Sequence, residues 1–335
     1  MSYYLGLDIG GTNVRAVIYD EDKNRIGHPV KRAFRKMDSA KSEVEENISC
    51  LIKSSIESNG LDMKSLKGIG ISSAALFDRE KGEIKNWPNN SLWNGFPLKK
   101  HLEQEFGVPV AMEDDANSAA LGEYLLGAGK GIKNFAYITI STGIGCGLVL
   151  NGSIYTGING WAGEIGHIKV ENEGPLCRCG QRGCLQALAS GPAIYRRGCE
   201  LAVMQGVDIS MITELQDIAQ YASGGSDWAL KAFEEAGKHI ARMVYYLAMI
   251  LDIDLVVLAG GVMKAGSIIL NPIEKEIASD FIYMKRKLTL KGSELGDNSG
   301  AIGALSLAYN HINSSDIKLE DKLRHGNYEV LKGGF

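Results

Sequence analysis

Proline is scarce in this sequence, with seven in 335 residues, and no apolar run approaches the ~20 residues of a membrane-spanning helix. Positive charge is not in excess: 36 lysines and arginines face 40 aspartates and glutamates, a formal net charge of −4. A pI near 5.9 argues against a general nucleic-acid binder, which carries a basic stripe. No basic region and long apolar stretch follow Met1, so no secretory signal is legible and a cytoplasmic location is expected. In a reducing compartment, clustered cysteines hold metal more often than they form disulfides.

What the chain does have is an ordinary globular composition, 45% hydrophobic and 23% charged. Its length exceeds what one hydrophobic core usually supports, which suggests two domains. Glycine is abundant, 41 residues in clusters, which suggests backbone brought close to ligands rather than flexible linkers.

Tyr3 to Ile9 reads as a buried strand, Gly10-Gly-Thr12 as a turn, and Val14 to Asp20 as a second strand. A third strand is expected within 25–34. Val44, Ile48, Leu51, Ile52 and Ile56 recur at helical spacing, so 39–58 should be an amphipathic helix ending at Asn59-Gly60. A strand is expected at Gly68–Ser72, a helix at Leu98–Phe106, a strand at Val108–Met112 and a helix at Ala116–Leu126. The opening pattern then recurs: strand Asn134–Ile140, turn Ser141–Gly145, strand Cys146–Leu150, with Asn151-Gly152 as a hairpin-turn signal. Helices should fill most of 186–251, Leu255–Gly261 should be a buried strand, and Leu295–Tyr309 a close-packed final helix.

Three cysteines fall within eight residues, Cys177, Cys179 and Cys184, and His167 stands ten residues upstream. Thiolate and imidazole are preferred zinc ligands, and a closed structural site takes four. Gly180 and Gly183 would let the chain turn between the ligands. Cysteine is often a small buried hydrophobe instead, and Cys50, Cys146 and Cys199 are expected to be that. Polar and glycine spacers make an apolar face a poor explanation of the cluster.

The two glycine-and-threonine turns would bring backbone N–H groups and hydroxyls toward a shared cleft, a plausible phosphate cradle. Asp8 precedes the first and would hold a hydrated Mg²⁺ on the phosphates, or else serve as an Asx-turn residue. Glu113-Asp114-Asp115 sits at a strand-to-helix junction. One aspartate suffices for capping, and three adjacent acids repel, so a proton-accepting carboxylate fits there. Trp87, Asn89, Asn90 and Trp93 form an aromatic and amide segment, where amides can bond sugar hydroxyls. The combination points to transfer of phosphate onto a polyol.

These residues resemble the motifs of the ROK family of bacterial sugar kinases and repressors, over nearly the whole length. Asp8-Ile-Gly-Gly-Thr-Asn-Val-Arg15 is similar to its first phosphate motif and Ser141–Gly147 to its second. Gly163-Glu-Ile-Gly-His167 and the cysteine cluster are similar to its signature and zinc box, Val257–Val262 to its adenosine segment, and Leu295–Ala304 to its last helix. The resemblance implies an α/β fold of the actin-like ATPase (RNase-H-like) type, two lobes around a nucleotide and sugar cleft. A small lobe would span 1–117, with a last helix at about 297–311 packing back onto it. A large lobe with the zinc loop would span 118–296, and 312–335 would be a polar tail.

The resemblance further implies ATP, Mg²⁺ and Zn²⁺ as cofactors and a hexose as acceptor, glucose at its 6-hydroxyl by default. N-acetylmannosamine, N-acetylglucosamine, fructose, allose or a β-glucoside are the alternatives. Asp115 would be the general base; Asn89, Asp114, Glu164, His167 and Gln186 would face the sugar. Asp8, Gly10, Gly11, Thr12, Thr142, Gly143, Gly260 and Gly261 would hold the nucleotide, and His167, Cys177, Cys179 and Cys184 the zinc. Two positions depart from the family pattern, Asp114 where asparagine is common and Gln186 where glutamate is common. A homodimer or homotetramer is expected, without nucleic-acid or membrane partners. A non-catalytic sugar-sensing regulator is disfavoured, because the Asp8 strand starts within the first few residues and leaves no room for a DNA-reading segment.

Overall fold

The computed structural model describes residues 1–10, 13–22, 24–33, 41–87, 93–280 and 287–309. Gly11, Thr12, Asn89 and 310–335, all part of the expectations above, lie outside the described residues. The chain divides into two compact units, Met1–Asp115 with the stretch from Ala301 onward, and Ala116–Gly300.

In the first unit, β1 (Tyr3–Ile9), β2 (Asn13–Asp20), β3 (Arg25–Ala33), β4 (Leu66–Ser73) and β7 (Val110–Asp114) form one sheet ordered β3-β2-β1-β4-β7. The first three strands are antiparallel neighbours, and β4 and β7 run parallel to β1. β5 (Leu76–Phe77) and β6 (Ile84–Asn86) make a small hairpin beside it. Helices α1 (Lys41–Ser58) and α2 (Leu98–Phe106) belong to the same unit. Ile48, Leu51, Ile52 and Ile56 of α1 are buried, and this stripe joins the core of the sheet. Cys50 points the other way and is exposed, which corrects its reading as a buried hydrophobe; Cys146 is buried and Cys199 half-buried. Trp87 and Trp93 are buried in this core, ring centroids 4.8 Å apart, so the aromatic segment contributes packing.

A last helix, 299–309, lies against β1 and β4 at Gly6 and Gly70, which are register partners. A Cβ on Gly6 would sit 2.1 Å from the Ala301 carbonyl oxygen, and one on Gly70 would sit 1.6 Å from that of Ala304. Two glycines and two alanines thus let helix backbone rest directly on strand backbone. This explains the small residues of the final segment.

The second unit repeats the plan. β8 (Phe135–Ile140), β9 (Ile144–Leu150), β10 (Ser153–Ile154), β11 (Leu255–Ala259) and β12 (Thr289–Gly292) are ordered β10-β9-β8-β11-β12. This is the same order as the first sheet, again with three antiparallel strands followed by two parallel ones. Asn151 and Gly152 turn from β9 into β10 with φ of 54° and 78°, the positive values a tight hairpin turn needs. α3 (Asp115–Leu126), α4 (Leu185–Ala189), α5 (Gly191–Met204), α6 (Leu215–Ser223), α7 (Asp227–Leu251) and α8 (Ser267–Asp280) complete the described helices. Ala229, Ala232, Phe233, Ala236, Ile240 and Val244 form the buried stripe of α7. Glu123, fully buried on α3, accepts hydrogen bonds from Ser293 Oγ, Ser299 Oγ and the Ala128 and Leu295 amides. Those donors offset the cost of a buried carboxylate and pin the 293–299 segment.

Candidate functional site

In the first unit the polar groups collect where the parallel strands end. Register aligns Asp8 with Ser72 and Ser72 with Glu113; Ser73 pairs with Asp114 one step further. The carboxyl ends of parallel strands are where α/β sheets gather ligand-binding groups. Ser72 Oγ donates to Asp8 Oδ1 at 2.9 Å, and Arg15 Nη1 stands 3.7 Å from Asp8 Oδ2. Gly10 follows directly, its amide bonded to the Asn13 carbonyl at 3.0 Å. Asp115 is the first residue of α3, where the helix dipole favours an ionised carboxylate.

The first two acids of the run, Glu113 and Asp114, are held by Arg79, which sequence reading missed. Its two terminal nitrogens each donate to one oxygen of Glu113 at 2.5 Å, and Nη2 lies 3.4 Å from Asp114 Oδ2. Burial works to raise the Glu113 carboxyl, and the Arg79 fork outweighs it and holds the group below its ordinary value. Arg79 lies 34 residues upstream of Glu113 in a turn-rich segment, so no local pattern announced the pair.

In the second unit the ligand atoms of His167, Cys177, Cys179 and Cys184 all lie within 4.8 Å of one another. Cys177 Sγ is 3.7 Å from His167 Nδ1, and Cys179 Sγ is 3.7 Å from Cys184 Sγ. Those sulfurs are too far apart for a disulfide, but a tetrahedron with Zn–S of ~2.3 Å has edges of about 3.8 Å. The donor set therefore fits zinc in both chemistry and spacing. Gly183, at φ 73°, faces the Glu171 carbonyl so closely that a Cβ would lie 1.7 Å from its oxygen. Burial raises the Cys184 thiol to about 12, helped by the neighbouring sulfurs. Cys177 moves the other way: burial opposes ionisation, but donors from Cys179 and Gln186 lower it to about 6. Glu164 immediately precedes the short 3₁₀ turn Ile165–His167, and its carbonyl accepts from the His167 amide at 3.1 Å.

Gln186 Nε2 donates to Cys177 Sγ at 3.2 Å, so its amide serves the cysteine cluster. Its Oε1 lies 3.2 Å from where a Cβ on Gly143 would stand, beside the Thr142-Gly143 turn. That turn closes through the Ser141 amide and the Gly143 carbonyl at 2.9 Å. A cavity of about 580 Å³ opens beside it, lined by Thr142, Pro192, Tyr195, Leu215, Gly261 and Val262 among others. Gly260, at the end of β11, adopts φ 95° and leads into this lining. Tyr195 is fixed there by donating to the Ile212 carbonyl at 2.9 Å. The contributions of α5 and α6 to the cavity were not legible, because their apolar residues look like ordinary helix faces.

The sequence model of the ROK family matches residues 4–311. The chain belongs to the ROK family. A glucokinase of Halalkalibacterium halodurans is 32% identical over 323 residues, covering 94% of this chain and 97% of that protein. An N-acetylmannosamine kinase of Vibrio vulnificus is 34% identical over 259 residues, covering 77% and 82%. Among solved structures, a ROK glucokinase of Streptomyces griseus in complex with glucose and AMPPNP superposes with a TM-score of 0.75. It is 30% identical and covers 92% of this chain and 99% of that one. The repeated strand order is accordingly that of the actin-like ATPase fold. Among the described residues no helix is long and apolar enough to cross a membrane.

Proposed function

We propose that this ROK-family chain is an ATP-dependent hexose kinase that phosphorylates glucose at its 6-hydroxyl. The observation that carries the reading is the cavity of about 580 Å³ beside the Thr142-Gly143 turn. An apolar slot next to a glycine-and-hydroxyl turn suits a nucleotide, base in the slot and phosphates on the backbone amides. The full-length likeness to a glucokinase supports glucose as the acceptor.

In this reading Asp115 accepts the proton of the acceptor hydroxyl as that oxygen bonds the γ-phosphorus and the bond to the β-phosphate oxygen breaks, leaving ADP. Asp114, Asn89, Glu164 and His167 hold the sugar's other hydroxyls. His167 turns Nδ1 to the cysteines, which leaves Nε2 for the acceptor. Gly10, Gly11, Thr12, Thr142, Gly143, Gly260 and Gly261 hold the phosphates and adenosine, and Asp8 would hold the Mg²⁺ that neutralises phosphate charge. His167, Cys177, Cys179 and Cys184 would hold zinc, which would stiffen the loop and fix the imidazole.

N-acetylmannosamine is the second reading, favoured by the 34% identity to a kinase for that sugar. ADP release measured over glucose, N-acetylmannosamine, N-acetylglucosamine, fructose and allose separates the two. Glucose should give the highest kcat/KM; a higher value for N-acetylmannosamine would move the assignment to that sugar.

A further inference from the structure

We propose that Arg79 is a positioning residue of the acceptor site, fixing the orientation of the Asp114 carboxyl beside the proposed base. The inference rests on the reading of Asp114 as an acceptor contact. Glu113, Asp114 and Asp115 are consecutive, and three carboxylates in a row repel one another unless a cation is supplied. Arg79 supplies it. The guanidinium forks onto Glu113, whose side chain is 6% exposed, and shares Nη2 with Asp114, whose side chain is 34% exposed.

A purely structural pair would end at the buried partner. Here the same nitrogen continues to the partly open carboxylate that immediately precedes Asp115. The arginine is itself held in place. Its Cζ lies 5.7 Å from the Phe77 ring centroid, and the preceding Asp78 accepts from the Glu80 and Lys81 amides at 3.1 and 3.0 Å. Lys85 Nζ closes that turn onto Asp78 at 3.0 Å. Such a fixed fork presents planar, directional donors that a lysine does not reproduce.

The chemical consequence concerns selectivity. A carboxyl whose Oδ2 takes the Arg79 Nη2 donor is fixed in orientation, so it discriminates among sugars by where a hydroxyl stands. An asparagine there would offer Arg79 a single uncharged oxygen and a weaker bond. Arg79 therefore matters to this chain because the residue beside the base is an aspartate.

The test compares wild type, Arg79→Gln/Glu113→Gln, Asp114→Asn and the triple variant; the paired change avoids stranding a buried charge. Steady-state kinetics give KM for glucose and for ATP, and calorimetry gives glucose affinity independently of turnover. In the paired variant, KM and Kd for glucose should rise on the order of tenfold or more, the scale that misplaced positioning groups reach. KM for ATP should stay within about twofold, and the same paired change on the Asp114→Asn background should add little further. Arg79→Lys should restore only part of the loss. Unchanged glucose affinity in a paired variant that melts like wild type would overturn the proposal. So would an equal loss with and without Asp114. A wild-type chain that binds glucose without phosphate transfer would sink the kinase reading alone, and the binding comparison would still decide Arg79. One that neither binds nor phosphorylates any sugar in the panel would sink both.

Discussion

Gln186 donates its amide to Cys177 Sγ over 3.2 Å, while its other end faces the Thr142-Gly143 turn. One side chain thereby touches both the thiol cluster and the neighbourhood of the proposed phosphate turn. A glutamate there would place a carboxylate against a thiolate and remove the donor. Gln186→Glu should weaken zinc retention by about 10–100-fold, the usual cost of losing a partner that supports a metal ligand. Competition with a chromophoric chelator measures it; equal zinc affinity in the two proteins would show the contact to be idle.

Zinc removal should harm the sugar more than the nucleotide. His167 is both a cluster member and a proposed acceptor contact, whereas the cavity is lined from the turn after β11, α5 and α6. After chelation, glucose affinity should fall at least about tenfold, while affinity for a non-hydrolysable ATP analogue changes little. Parallel loss of both affinities, accompanied by a lowered melting temperature, would indicate general unfolding instead.

Much of this arrangement was legible in the sequence. The Asn151-Gly152 turn, the amphipathic stripe of α1 and the metal box all rest on short-range signals. Glycine spacers, helical periodicity and ligand spacing are properties of neighbouring residues. What could not be read depends on distant pairs. Arg79 meets Glu113 only because strand β7 lies beside β4, and Trp87 and Trp93 become core only once the sheet they cover exists. The exposed side of Cys50 follows from which stripe of α1 meets the sheet. Helix α8 and strand β12 left no signal that sequence reading picked up, although β12 completes the second sheet.

The contact of the last helix with the first sheet makes Gly70 sensitive. Gly70→Ala would drive a Cβ to 1.6 Å from the Ala304 carbonyl oxygen, so helix or strand must shift. Overpacking at such a site costs about 1–3 kcal/mol or more. Chemical denaturation should show that loss, with Gly292→Ala, in open space without a positive φ, as the control. A Gly70→Ala protein as stable as wild type would contradict the close approach.

Acid should weaken the first unit through Glu113. Its carboxyl is held below the ordinary value in the folded chain, so the unfolded chain binds the proton more readily. The resulting stability is complete above the ordinary glutamate range and is lost as pH falls through the folded value. Melting temperature should therefore drop less steeply from about pH 5 to about pH 3 in Glu113→Gln than in wild type, a window that starts just above the ordinary glutamate pKa and runs below it. Identical slopes would mean that the Arg79–Glu113 pair does not perturb the carboxyl in solution.

The central claim is that Asp115 serves as the proton acceptor of an ATP-dependent hexose kinase. Coupled ADP release with glucose, compared between wild type and Asp115→Asn, tests it most directly. The account predicts glucose-stimulated turnover yielding a 6-phosphate, with kcat reduced about 10²–10⁴-fold in Asp115→Asn and glucose binding largely kept. Turnover that no hexose or hexosamine stimulates, or an Asp115→Asn enzyme as fast as wild type, would contradict it.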